Sequence, residues 1–458
     1  MSEIIEHYSE INTIITNIYN GGRGKRHNNL TRLLLKEKNI ELAVRRLYCR
    51  NPKDSDMKSL RKIDIETLRR EVSRRLNFNV KPKMKVFYSG GKEIKTYSKF
   101  DKLTQMCVLN ILQPITEVNF YPSNFGYRPN MKPQHCISTF NNSLWACIHQ
   151  GYEYYVITDR IDKIWKNIEP ERVLTILRTR FGIYDRKLLF YLKNLMTSPD
   201  WSFKSKILGV VLTNCLLTEL DARMAELSVE HQKYIMQIKQ GRREYKSRPY
   251  ERYREKYEDC FMVRYVRFGD KIALGFTYRE DIPLVKDLVL EKLEELGLTT
   301  SGRLSTVSTL SKFGRESFIF IGYKVKTVNG NIRISISDLR RTYRKIRYYL
   351  DLYLVKKRAR TESDFSKLDL MLTNFFSRYD ICTNLEPLIN LCNKYLFYRP
   401  YLKFKSINKV PNHDIYEFFT KDRGSKKSIN LYELRKKTSL SYKKYVKVPY
   451  WNPNAFQA

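Results

Sequence analysis

Hydrophobic and polar positions along this chain follow two rhythms, helical in some stretches and alternating in others. From Ser59 to Leu76 the spacing is helical and basic residues dominate the polar positions, which predicts a basic helix. Met84–Tyr88 and Glu93–Tyr97 flank Ser89-Gly90-Gly91, the pattern of a β-hairpin. Leu103, Met106, Cys107 and Ile111 share one stripe and predict a helix from Asp101 to about Leu112, with Asn110 interrupting it. Ser123-Asn124-Phe125-Gly126-Tyr127-Arg128-Pro129 reads as an aromatic-rich turn, and Tyr154–Thr158 as a strand ending at Asp159. Helices over Glu171–Arg180, Arg186–Leu195 and Leu208–Leu220 follow. Phe261–Arg267 and Ala273–Phe276 make a second hairpin around Gly269-Asp270, then a helix over Pro283–Leu296 leads to a strand over Phe318–Val325.

Past Ile332 the pattern turns helical. Leu339, Tyr343, Ile346, Leu350 and Tyr353 recur at alternating steps of four and three. Thr383-Asn384-Leu385-Glu386 has the form of a capping box opening a helix with apolar Leu385, Leu388, Ile389, Cys392 and Leu396. Strands mixed with helices in no βαβ rhythm predict an α+β fold.

Charge changes the picture more than composition does. The 458 residues include 85 Lys and Arg against 48 Asp and Glu, a net charge of +37. A hydrophobic fraction of 42% is enough for real cores, so a wholly disordered basic chain is excluded. The charge excess calls for an anionic partner, nucleic acid before a membrane surface. No apolar run reaches the roughly 18 residues that span a bilayer; the longest, near Ile207–Leu220, is interrupted by Thr213 and Asn214. The opening MSEIIEHYSE carries Glu3, Glu6 and Glu10, unlike a signal or transit peptide, so the protein is expected to act where it is made. Heavy use of Ile, Lys, Asn, Tyr and Phe hints at an AT-rich genome and favours an organelle.

Cations cluster in places. On the helix after Ile332, Arg340, Arg341, Arg344, Lys345 and Arg347 fill the gaps of the apolar stripe, and Lys356, Lys357, Arg358 and Arg360 follow. Arg and Tyr interleaved on one helix offer phosphate contacts and base stacking together, so this helix is expected to face RNA. The C-terminal stretch from Lys421 to Lys447 is again basic, and residues 1 to about 55 read as basic helix around Gly21-Gly22-Arg23-Gly24-Lys25-Arg26, which is no P-loop because no Gly-Lys-Ser/Thr closes it. Cys49, Cys107, Cys136, Cys147, Cys215, Cys260, Cys382 and Cys392 form no C-x-x-C pair and are expected as free thiols. Cys147 and His149 alone do not make a zinc site, which needs four ligands.

The order of motifs resembles a group II intron-encoded protein, a reverse-transcriptase-like maturase, from about Ser59 to about Arg399. Phe87–Gln105 (FYSGGKEIKTYSKFDKLTQ) is similar to the family's finger segment, keeping Asp101 and Gln105 with Lys102 in place of Arg. Ile111–Pro129 (ILQPITEVNFYPSNFGYRP) matches its leucine-glutamate-proline and S-x-G-F-R-P run. Leu208–Asp221 (LGVVLTNCLLTELD) is similar to the palm segment ending N-x-x-L-x-x-L-D. Val266–Phe276 (VRFGDKIALGF) falls where the family has R-Y-A-D-D-F, and Phe318–Tyr323 (FIFIGY) resembles its F-x-F-L-G-Y strand. Asp369–Arg399 looks like the maturase X domain, with Phe375, Phe376, Tyr379, Asn384 and Leu385 in its register. No Cys pairs of an HNH endonuclease follow.

The resemblance implies a right-hand architecture: N-terminal basic helices and fingers (1–140), palm (141–330), a thumb-like basic helix (331–365), and an X-like domain with a basic tail (366–458). It also implies where metals would sit. Two-metal polymerisation needs carboxylates from two palm elements. The hairpin has Asp270 followed by Lys271, and a cation there repels metal ions. For the other element Asp159 is the candidate; alignment on Asn167-Ile168-Glu169 puts Arg160 there instead. The family's Gln-Gly is replaced by Lys204-Ser205, and its Ser-Pro by Gly209-Val210. Asp159 and Asp270 are therefore vestigial metal-ligand candidates, no cofactor is expected unless a residual Mg²⁺ site survives, and polymerase activity is expected to be lost. The implied function is binding of group II or group III intron RNA and assistance of its splicing, with Arg128 and the cations at 340–358 as contacts. Helper splicing proteins are compatible with this role, and the sequence leaves the oligomeric state open. The alternatives are an active intron-encoded reverse transcriptase and a general RNP subunit. The likeness is greatest to degenerate plastid maturases of euglenoid algae, which implies a plastid location, with the mitochondrion second.

Overall fold

The structure, a computed structural model, describes residues 26–50, 55–77, 82, 84–89, 92–129, 131–162, 168–198, 207–227, 263–302, 304, 306–351, 372 and 375–392. The glycine loop before Arg26, the cations Lys356, Lys357, Arg358 and Arg360, and the basic C-terminal stretch lie outside the described residues.

Helices α1 (Leu30–Leu34), α2 (Glu37–Arg50), α3 (Ser55–Leu60) and α4 (Ile65–Asn77) come first. The helix expected over Ser59–Leu76 is thus two. The chain breaks at 61–64, where Asp64 Oδ1 accepts the Thr67 N–H (2.8 Å) and caps the next helix. Strands β1 (Met84–Ser89) and β2 (Lys92–Tyr97) form the first expected hairpin. Helix α5 (Lys99–Asn119) starts at a Ser98 cap and runs through Pro114, past its expected end, because Ile115 and Thr116 continue its buried side. Asn110, the polar break in its stripe, is buried and donates to Asn39 Oδ1 (2.9 Å) while accepting from Arg46, which ties α5 to α2.

Helix α6 (Pro133–His149), strand β3 (Tyr154–Asp162), helices α7 (Pro170–Thr179), α8 (Arg186–Met196) and α9 (Gly209–Leu227), and the hairpin β4 (Val263–Phe268)/β5 (Lys271–Phe276) follow. Then come α10 (Asp281–Glu295), β6 (Thr299–Thr300), β7 (Val307–Leu310), β8 (Ser317–Phe320), β9 (Tyr323–Val328), β10 (Asn331–Ile336) and α11 (Leu339–Leu350). One antiparallel sheet has the order β4-β5-β3-β6, with β7 also paired to β3; a second has the order β10-β9-β8.

Two expectations change here. The single strand Phe318–Val325 folds back at Ile321-Gly322, both with positive φ, into β8 and β9. The chain past Ile332 is first strand β10, since Ile332, Ile334 and Ile336 alternate toward the interior; the helix begins at Leu339. The capping box is corrected too. Asn384 Oδ1 accepts the Ile336 N–H (2.8 Å) and Thr383 Oγ1 donates to Ile334 O (3.1 Å), so this turn fastens to β10. The helix at 385–392 does bury Leu385, Leu388, Ile389 and Cys392.

The period-two pattern of the central sheet splits it between two cores. Ile157, Ile161, Ile272, Leu274 and Tyr265 face the first, built with α1–α5 and α7–α10. Val156, Val266 and Ala273 face the second, built with α6, the β8–β10 sheet, α11, Leu372 and residues 375–392. Among the described residues no helix is long and apolar enough to cross a membrane. The seven described cysteines are free.

Candidate nucleic-acid interface

Three segments far apart in sequence meet at the β4–β5 turn. Arg267 on β4 is fully buried, and its Nε and Nη2 donate to Asp221 Oδ1 (2.8 Å) and Oδ2 (2.6 Å) on α9. Its Nη1 donates to Asn214 Oδ1 (2.9 Å) and Gly269 O (3.1 Å), and Tyr265 Oη donates to Asp221 Oδ1 (2.9 Å). Burial and then the Asp221 charge push the Tyr265 phenol well above its ordinary value. Asn214 Nδ2 in turn donates to Gly126 O (2.7 Å). The 123–129 turn pairs with β4 through Phe125 N–H to Arg267 O and Arg267 N–H to Ser123 O, each 2.8 Å. A Cβ on Gly126 would lie 1.9 Å from Gly269 N, so glycine is what lets the two backbones meet. Tyr127, at φ 60°, lays its ring against Gly269.

The two candidate metal-ligand acids, Asp159 and Asp270, lie on β3 and at the β4–β5 turn. On β3 the side chains alternate, and Asp159 points into the first-core side. There it is buried, accepting from Ser301 Oγ and from the Leu304 N–H (3.0 Å). In this position Asp159 acts as a structural acceptor for Ser301 and Leu304. Arg160 occupies the opposite face, exposed, with Lys271 directly across the ladder. Arg160 is paired to Asp162 (2.7 Å); Asp162 first and Asp270 after it raise its pKa. Asp270 stands alone at the turn beside Lys271. Among the described residues no three His, Cys, Asp or Glu side chains gather around a metal-sized site. With Asp162 paired to Arg160 on this face, Asp162 and Asp270 are offset by Arg160 and Lys271, which leaves no net negative charge to attract Mg²⁺.

Arg128, expected to contact RNA, is largely engaged within the protein. Its side chain is only 9% exposed. Nε and Nη2 both lie 2.7 Å from Glu117 Oε1, and Nη1 donates to Tyr121 O (3.1 Å) and Asn124 O (2.7 Å). It braces the turn, and its donors are spent inside the protein. Helix α11 behaves differently. Asp338 caps it by accepting the Arg341 N–H (2.8 Å), Ile346 and Leu350 are buried in the second core, and Leu339 and Tyr343 pack partly buried against it. Arg340, Arg341, Arg344, Lys345 and Arg347 are all exposed, with Tyr348 58% exposed among them. Arg347 reaches Asp351 at 4.0 Å. The apolar stripe is core, and the cationic face is turned to solvent.

No family model and no curated protein matches the sequence. Among solved structures, the chain is similar to telomerase from Candida albicans in complex with a TWJ fragment of telomeric RNA. The identity is 11%, over 78% of this chain and 66% of that one, with a TM-score of 0.34. Apo telomerase from Candida tropicalis gives 10% identity, 80% and 67% coverage and a TM-score of 0.37. The Candida tropicalis telomerase with the TWJ fragment gives 8%, 74% and 64%, and 0.35. This chain thus spans about two thirds of the length of each.

Sequence reading missed a second cationic face. On the outer side of the β8–β10 sheet, Lys326 lies directly opposite Arg333, both exposed, with Lys324 on the same side. Like charges facing each other across a ladder destabilise it. At its end the 311–316 loop is fastened by Thr327 Oγ1 donating to Ser311 O (2.6 Å) and Gly330 N–H to Lys312 O (3.0 Å). It presents Phe313, 78% exposed, beside Lys312. The signal available was the alternation Lys324, Lys326 and Arg333 within strand-like runs.

Proposed function

We propose that this chain is a maturase-like RNA-binding protein. It binds a group II or group III intron RNA, stabilises its folded form, and leaves the splicing chemistry to the RNA. In this reading the polymerase chemistry has been lost and the protein works in the organelle that encodes it, a plastid.

The observation that carries the reading is the pairing of Arg160 with Lys271 at the exposed end of the central sheet. A polymerase needs an excess of acids there to clamp two metal ions, whereas here Arg160 and Lys271 offset Asp162 and Asp270. The cationic faces of α11 and of the β8–β10 sheet supply what remains useful, phosphate neutralisation with exposed aromatics beside it.

The test has two arms. Primer extension on an RNA template with Mg²⁺ or Mn²⁺ is expected to yield no DNA; template-dependent product that vanishes in Asp270→Ala would restore the reverse transcriptase. Crosslinking in the native compartment is expected to recover unspliced junctions of one or a few introns. Recovery of ribosomal RNA in near-equal stoichiometry would make the protein a general RNP subunit.

A further inference from the structure

A cleft of about 890 Å³ opens on the far side of the first core, lined by Asn28, Asn29, Arg32, Tyr184, Arg186 and Lys187 among others. Its size lies within the range of ligand sites, about 300–1,000 Å³. Its walls are fixed. The segment before α1 is stitched to the turn before α8 by His27 N–H to Gly182 O (2.7 Å) and Tyr184 N–H to His27 O (3.0 Å). Asp185, the acid among the lining residues, is buried and fully engaged. Oδ2 accepts the Thr31 N–H (2.7 Å), and Oδ1 accepts Thr31 Oγ1 (2.7 Å) and the Leu188 N–H (3.0 Å). One carboxylate therefore holds the starts of α1 and α8 together.

Arg32, Arg186 and Lys187 are exposed and have no acid partner among the described residues. Arg26 stacks on the Tyr184 ring, its guanidinium carbon 5.3 Å from the ring centroid, and the ring is still 37% exposed. Three unpaired cations, a part-covered aromatic and two exposed amides around one concavity suit phosphates, a stacked base and base edges. A duplex keeps its bases stacked internally and cannot present one to a ring.

We infer that this cleft grips a short single-stranded RNA segment, at a site separate from α11. A base stacks on Tyr184, and adjoining phosphates meet Arg32, Arg186 and Lys187. The inference rests on the RNA-binding reading for the nature of the polymer, and on the cleft for the place and the single-strand preference.

The test measures binding of the full chain to a labelled single-stranded RNA decamer and to a duplex of equal length. The variants are Tyr184→Ala, the double Arg186→Glu/Lys187→Glu, and the α11 double Arg340→Glu/Arg344→Glu; all the charge changes are at exposed positions. Tyr184→Ala is expected to weaken decamer binding about tenfold, in the range of one lost base stack, and to leave the duplex unchanged. The Arg186/Lys187 double is expected to weaken it at least as much and to flatten the salt dependence by roughly 0.7 per lost contact. Tyr184→Phe should bind like wild type, separating stacking from any role of the hydroxyl. Unchanged decamer affinity in the cleft variants, with a loss in the α11 double, overturns this site and leaves the RNA-binding reading standing. Equal losses for decamer and duplex overturn the single-strand assignment. Failure of the wild type to bind either RNA overturns both.

Discussion

Positive charge is used in opposite ways at the β4–β5 turn and on α11. At the turn Arg267 is sealed from water and each donor group has a partner, while Arg128 nearby is nearly so. On α11 five cations stand in solvent, and among the described residues only Arg347 is near an acid. The first arrangement specifies a geometry; its net contribution to stability is small, because desolvation offsets most of the attraction. The second specifies nothing about the fold and keeps its electrostatic energy available for a polyanion. Residues that fall in family motifs thus serve the frame here, and the free charges lie on elements whose sequence shows only a charge run.

The sharpest break of this contrast is Asp221→Ala. It strands a buried guanidinium and is expected to cost about 3–5 kcal/mol in urea unfolding. Replacing both partners, Asp221→Leu with Arg267→Met, should recover most of that loss; if it does not, the pair does more than satisfy itself. Gly126→Ala is next. Its Cβ meets the Gly269 backbone, and overpacking of this kind costs about 1–3 kcal/mol. A neutral result would mean that the turn and hairpin can separate without loss.

The surface side gives smaller effects of another kind. Arg340→Glu/Arg344→Glu should leave the melting temperature within a degree or so but lower RNA affinity and reduce the salt slope by roughly 0.7–0.9 for each contact removed. Arg128→Ala should do the reverse, lowering stability with an unchanged salt slope. An Arg128 variant that alters the slope would return that residue to the interface.

The smallest effect is pH-dependent. Burial raises the Asp380 carboxyl to about 6, above its unfolded value. Its protonated form therefore suits the fold, and the associated stability is complete near pH 4 and lost as pH rises through about 6. Asp380→Asn should accordingly stabilise at pH 7.5 and make no difference near pH 4, read as the difference in unfolding midpoint at the two values.

Much of this was legible beforehand, and the omissions have physical causes. The hairpins, the strand at Tyr154 and the stripe Leu339, Tyr343, Ile346, Leu350 followed from period alone. Strand β10 was not read because three isoleucines spaced by two sit directly before a strong helical stripe, which drew the boundary early. The break at Ile321-Gly322 was missed because FIFIGY is apolar throughout and carries no polar marker of a turn. The Asp159/Arg160 choice could not be made from sequence, since a shift of one residue reverses every side chain of a strand; the structure buries Asp159 against Ser301 and Leu304 and leaves Arg160 exposed. The Asp185 clamp was out of reach because its partner Thr31 lies 154 positions away.

The place of β3 in its sheet has a consequence for how the protein is made. This central strand emerges from the ribosome before β5, β6 and β7, the strands that flank it. Asn214 and Gly126, 88 positions apart, likewise wait for Arg267 before their network closes. During synthesis the first half of the chain therefore holds an apolar strand with both edges open, the condition that slows folding and invites self-association. Pausing or chaperone capture between the synthesis of α9 and of the β4–β5 hairpin is where yield of this protein would be won or lost.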